Sequence, residues 1–221
     1  MNGVIGDLLP AALAVALSPI PIVGVVLILG SPHARTAGPA FACGWVAGLV
    51  AVSVVVVLLA GGGDDSGSGD SGLGWLKVAL GVLFIGLAAK QWRQRPRDGQ
   101  RPDEPAWMEG IDSASPSRAA LLGAALSAAN PKNLALTLSA AATVADSGLD
   151  SGDEAVAVAA FVAIGSLTVV GAVLFRLLAG ARADRPLEAV RGFMSEHNAA
   201  IMIAVLLVIG AKLLGDGIAA L

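Results

Sequence analysis

The 221 residues are 56% apolar and 14% charged, with a formal net charge of −3 and a mean hydropathy of +0.78. Soluble globular chains carry about 25% charged residues, so too few are present to cover a water-facing surface, and no basic excess points to nucleic acid. A single cysteine, Cys43, excludes an internal disulfide and the paired-thiol chemistry of membrane electron carriers.

A membrane-spanning helix takes about 20 mostly apolar residues. Six stretches qualify, at 8–29, 38–60, 73–92, 119–145, 155–179 and 199–220. The first reads as a retained span and not a secretory signal, because Asp7 is the only charge before Arg35 and no basic segment precedes it. Its middle holds Ser18-Pro19-Ile20-Pro21. Each proline removes a backbone donor, clashes with the preceding turn and pushes the residue before it out of helical geometry. An unbroken helix through 17–21 is therefore not expected.

In the second stretch Gly44 and Gly48, with Ala40 on the same face, suit close helix packing. Cys43 reads as a small packed side chain. The run 61–72, GGGDDSGSGDSG, has nothing apolar to bury and is expected to be a flexible loop. Trp75, Trp92 and Trp107 fall near expected membrane interfaces. Pro96, Pro102, Pro105 and Pro116 argue against continuous helix in the polar segment 93–118.

The fourth stretch repeats the interruption, at Asn130-Pro131-Lys132-Asn133. Ser18-Pro19 and Asn130-Pro131 each read as an N-cap followed by proline at the first helical position. Loops are expected at 146–154 and 180–198, the fifth stretch reads as continuous, and Lys212 can pair with Asp216 on the sixth. His33 and His197 lie in or next to loops and read as solvated residues. No nucleotide loop, zinc spacing or nucleophile elbow is present, so neither enzymatic activity nor a metal or cofactor is expected.

Orientation follows from the cations. Arg35 lies in loop 1, and Lys90, Arg93, Arg95, Arg97, Arg101 and Arg118 cluster around loop 3. Arg176, Arg182, Arg185 and Arg191 surround loop 5, while loops 2 and 4 hold acids and no Lys or Arg. The positive-inside rule then puts loops 1, 3 and 5 in the cytoplasm and both termini outside.

The expected fold is thus an all-α integral membrane domain over 1–221, with six spans. Three spans (about 1–92) and three more (about 119–221), joined by a cytoplasmic loop (93–118), form two inverted repeats with interrupted helices 1 and 4. Corresponding breaks in two halves point to a midplane binding site. Half-helices starting at Pro19 and Pro131 would aim their positive ends into the interior. Lys132 sits halfway along its span, where a charge costs a few kcal/mol or more, and no carboxylate lies at comparable depth. Ser18, Pro19, Pro21, Asn130, Pro131, Lys132 and Asn133 are therefore the candidate substrate site, for an anion.

These motifs also carry a family resemblance. LSPIPI (17–22), SPHAR (31–35), Gly44-Trp45, Pro105, Trp107-Met108 and NPKNL (130–134) occur in the order found in the glycolipid-addressing, or Sap, proteins of actinobacteria. The chain resembles that family, which belongs to the lysine-exporter superfamily. The resemblance implies a transporter of the bacterial plasma membrane whose substrates are envelope glycolipids or lipid-linked precursors. Its implied partners are membrane lipids, the anionic lipid-linked substrate and an envelope lipid export machinery. Two rivals stand beside a flippase-like exporter: a small-solute exporter of the lysine-exporter type, and an accessory scaffold of a lipid export machine.

Overall fold

The computed structural model describes residues 2–61, 69–95, 111, 114–219 and 221, and the regular elements among them are helical. Helices α1 (Asn2–Ala16) and α2 (Pro19–Gly30) form one apolar stretch bent by 51° at Leu17-Ser18. Helix α3 (Ala34–Gly61) follows, then α4 (Gly69–Arg93). The flexible loop expected over 61–72 is therefore shorter at its end, because α4 already starts at Gly69; residues 62–68 lie outside the described residues. So do Pro96, Pro102, Pro105, Trp107 and Met108.

Helix α5 (Pro116–Ala128) starts where Ser115 accepts a hydrogen bond from the Arg118 amide, with Pro116 in the first turn. Helix α6 (Pro131–Ala145) begins after the Asn130 break. The short loop after it turns through Gly148 at φ 64°. Asp150 then caps α7 (Ser151–Gly165), accepting from the Asp153 amide at 2.9 Å.

The fifth stretch is not continuous. Helix α7 gives way to α8 (Leu167–Ala179) at Ser166, with a 58° bend. The segment expected as loop 5 is largely helical too. A 3₁₀ turn over Gly180–Ala183 leads into α9 (Asp184–Glu196), and α10 (Asn198–Ala219) closes the chain. On α9, Leu187 is buried against the body while Val190 and Phe193 are exposed, the pattern of an amphipathic helix.

Small residues set the two closest helix pairs. A methyl group at Gly44 would overlap the carbonyl of Ala120, and one at Gly123 would lie 2.9 Å from the Trp45 amide nitrogen, so α3 and α5 touch backbone to backbone. Helices α4 and α10 meet in the same way, at Gly81, Gly210 and Gly217. Without water to drive association, such van der Waals contact is what joins helices in lipid. Helix α1 packs on α6 and α7, and Phe41, Trp45, Phe84 and Phe161 fill the fully buried centre.

The chain is a membrane protein of apolar helices. Residues 34–58 of α3 and all of α10 are each long and apolar enough to cross a bilayer, and the bent pairs at Ser18 and Ser166 each qualify as one more span. Large side chains such as Leu121, Leu178 and Val208 cover the exterior. Ion pairs mark the helix ends. Lys77, two turns into α4, meets Asp146 after α6 at 3.1 Å, and Arg176 of α8 meets Asp184 of α9 at 3.2 Å. Arg176 also donates to the Leu29 carbonyl at the end of α2, so loops 1 and 5 lie at one end of the bundle. The ends beside loops 2 and 4 meet at the Lys77–Asp146 pair.

Candidate functional site

The first break follows from a missing hydrogen. Pro19 has no N–H to give the carbonyl of Val15, its partner four residues back. The Ser18 amide takes that carbonyl instead, at 3.1 Å, with Ser18 at φ −71° and ψ 113°. Ala14, whose helical partner would have been the Ser18 amide, is left with a free carbonyl oxygen. Two residues on, the carbonyl of Ala16 is released in the same way and accepts from Thr168 Oγ1 of α8.

The second break has the same local cause. Asn130 stands at φ −68° and ψ 118°, Pro131 occupies the first helical position, and Asn130 Oδ1 caps α6 by accepting from the Lys132 amide at 3.1 Å. Asn130 behaves as expected. Ser18 does not: it makes no cap, because its hydroxyl is turned across to the other break.

The two breaks are bonded to each other. Lys132 Nζ donates to the freed Ala14 carbonyl at 2.9 Å and to Ser18 Oγ at 2.7 Å. Ser18 Oγ donates onward to Asn133 Oδ1 at 2.7 Å, and Asn133 Nδ2 donates to the Leu126 carbonyl at 3.0 Å. Lys132, Ser18 and Asn133 are all buried, at 3%, 2% and 0% exposure. An amine buried this deeply needs compensating acceptors, and the ones it has are neutral. No Asp or Glu pairs with it among the described residues.

Of the sequence-picked residues, Ser18, Lys132 and Asn133 therefore share one network, and Pro19 and Asn130 shape its two strands of broken backbone. Pro21 is buried in the first turn of α2, and Pro131 is exposed at the start of α6. The lysine's backbone acceptor is Ala14, and the nearby Ser127 hydroxyl bonds the Ala124 carbonyl.

A third discontinuity, at Gly165-Ser166, belongs to the same region. A methyl group on Gly165 would lie 3.2 Å from Val15 Cγ1, so the α7–α8 bend packs against the last turn of α1. Thr168 binds the Ala16 carbonyl two residues beyond Ala14. The available signal was the Gly-Ser pair inside an apolar stretch, a recognised cause of sharp kinks. An apolar groove of about 890 Å³ runs between α3 and the α7–α8 pair, and Ser166 is among its lining residues whereas Ser18, Asn130, Lys132 and Asn133 are not.

A family model described as Sap, sulfolipid-1-addressing protein, matches residues 8–219, a span that contains all three breaks. No curated protein and no solved structure matches the chain.

Proposed function

The chain belongs to the Sap, sulfolipid-1-addressing protein, family, and on that premise we propose that it is a flippase-like exporter of an anionic, lipid-linked or glycolipid component of the cell envelope. The observation that carries this reading is the buried Lys132, held between two broken helices by neutral oxygens alone. A sulfate or phosphate group is a stronger acceptor for an ammonium than a hydroxyl or a carbonyl. Substrate entry exchanges the Ala14 and Ser18 oxygens for the anion, and its departure restores them. In the closed arrangement the protein's own oxygens stand where the anion goes.

The same proposal includes six spans, with α1–α2, α3 and α4 in one half and α5–α6, α7–α8 and α10 in the other. Several contacts support an inverted repeat. The pairing of α4 with α10 joins corresponding third spans, and the hydrogen bond from Lys132 to Ser18 joins corresponding first spans. The contact of α3 with α5 has its counterpart in that of α7 with α1. Loops 1, 3 and 5 face the cytoplasm of a bacterial plasma membrane in this arrangement, and both termini face out. A groove lined almost wholly by apolar side chains supports a lipid substrate over a small solute.

Reconstitution tests it. Proteoliposomes are expected to move a fluorescent sulfated glycolipid between leaflets faster than protein-free vesicles do, and faster than the unsulfated analogue. Equal rates for vesicles with and without protein would remove the exporter reading.

A further inference from the structure

We propose that the groove between α3 and α7–α8 holds a hydrocarbon chain of the transported lipid, and that Ser166 Oγ donates a hydrogen bond to the ester or amide carbonyl where that chain joins its head group. This rests on the exporter reading above and adds to it where the tail lies and which group is recognised at its root.

The groove is made by a difference in side-chain size. Helix α3 presents Val50, Val54 and Leu58 along it, and α7 presents Ala155, Ala159 and Ala163 at four-residue spacing. Residues four apart share a helix face, so the alanines form a shallow strip, flanked on α7 by Val158 and Val162, opposite a row of bulkier side chains. At about 890 Å³ the space falls within the 300–1,000 Å³ of small-molecule sites. A fifteen-residue helix, about 10 Å across, would need roughly 1,800 Å³. A flexible chain fits this volume better than a second polypeptide does.

Two polar features give the occupant a direction. Ser166 lines the groove at 3% exposure, and its hydroxyl has no hydrogen-bond partner among the described residues. An orphan hydroxyl in an apolar wall is destabilising, and a carbonyl on the ligand would offset that cost. A helix surface, whose carbonyls are already bonded, would not. Glu154 lines the groove at the start of α7, roughly 18 Å along the helix from Ser166 at 1.5 Å per residue. That carboxylate disfavours an anionic head at its own end. Lys132 favours one at the other, since Ser166 adjoins the Thr168–Ala16 bond and Ala16 lies two residues from Ala14, the partner of Lys132. Charge therefore orients the lipid with its head inward at the three breaks and its tail running toward Glu154.

The test uses the full chain in phosphatidylcholine vesicles containing a sulfated diacyl glycolipid with a diazirine at the end of one acyl chain. A matched probe has ether linkages in place of esters. After illumination, adducts are expected within 50–58 and 154–166, lost on competition with unlabelled sulfated lipid and mostly lost in Ala159→Trp. Val54→Trp, on the opposite wall and 42% exposed, gives the same reading if the first variant does not fold. Wild type is expected to label more strongly with the ester probe, and Ser166→Ala to label equally with both. Adducts spread evenly to lipid-facing residues such as Leu121 and Val208 would overturn the assignment. So would groove adducts that survive both tryptophans, cross-links between two copies along this face, or a wild type indifferent to the ester. Transport is read on the same vesicles: groove labelling without transport removes the exporter reading and keeps the lipid site, and transport without groove labelling does the reverse.

Discussion

Ser18 Oγ and Asn133 Oδ1, 115 residues apart in the chain, lie 2.7 Å from each other in the interior. The bond joins the break between α1 and α2 to the break between α5 and α6, and Lys132 joins it from one side. Removing either partner strands the other in a dry environment. Ser18→Ala and Asn133→Leu are therefore expected to be strongly non-additive, the double variant losing less than the two single losses summed, with a coupling of about 0.5–3 kcal/mol opposite in sign to the losses. Equilibrium unfolding of the two single variants and the double variant in mixed micelles measures it. Simple additivity would mean that the two breaks are held by packing alone.

Lys132→Met separates stability from function. Losing the amine leaves the Ala14 carbonyl without its partner, at a cost of about 1–3 kcal/mol. It also removes a buried cationic group, whose desolvation penalty is several kcal/mol. The second effect is the larger, so the thermal midpoint of the purified protein is expected to hold or rise. Transport of a sulfated lipid is expected to fall to the protein-free rate. A protein that cannot be extracted folded would assign Lys132 to structure instead.

The backbone contact of α3 with α5 leaves no room for a methyl group. Gly44→Ala is expected to destabilise by about 1–3 kcal/mol, as overpacking generally does, because the added methyl meets the Ala120 backbone, which cannot swing aside. Gly86→Ala on α4 meets nothing within 4 Å and is the control, expected to be neutral or slightly stabilising. Thermal shifts of the two variants in one detergent compare them directly.

The proposed topology places Ser151 outside and Ala189 inside, and both positions are exposed. In a Cys43→Ser background, Ser151→Cys is expected to react with a membrane-impermeant maleimide on intact cells. Ala189→Cys is expected to react only after permeabilisation. The reverse pattern would invert the assignment of every loop.

What could be read in the sequence depended on whether its cause was local. The breaks at Ser18 and Asn130 were legible because a proline acts on its own turn. The seam of Gly44 and Gly48 was legible because glycine spacing marks a close face. The break at Ser166 has no proline, and Gly165 beside it lies close against Val15 of α1, a contact far off in the chain. Helix α9 was hidden by its polar composition, although Leu187, Val190 and Phe193 recur every three residues. The pairing of Lys77 with Asp146 joins segments 69 residues apart, which no local pattern announces. At the site, sequence identified the lysine and its Ser18 acceptor but not the Ala14 carbonyl, since a free carbonyl is a property of backbone geometry and not of any side chain.

That last point has a consequence for Pro19. Replacing it with alanine would return a hydrogen to the chain: residue 19 could bond Val15, and the Ser18 amide could swing back to Ala14. By ordinary reckoning this repairs a helix. Here the repaired helix would reclaim the oxygen that Lys132 uses, and an amine 118 residues away in the chain would be left facing hydrocarbon. The defect in one segment is thus the solvent of another, and the healthier helix should make the sicker protein.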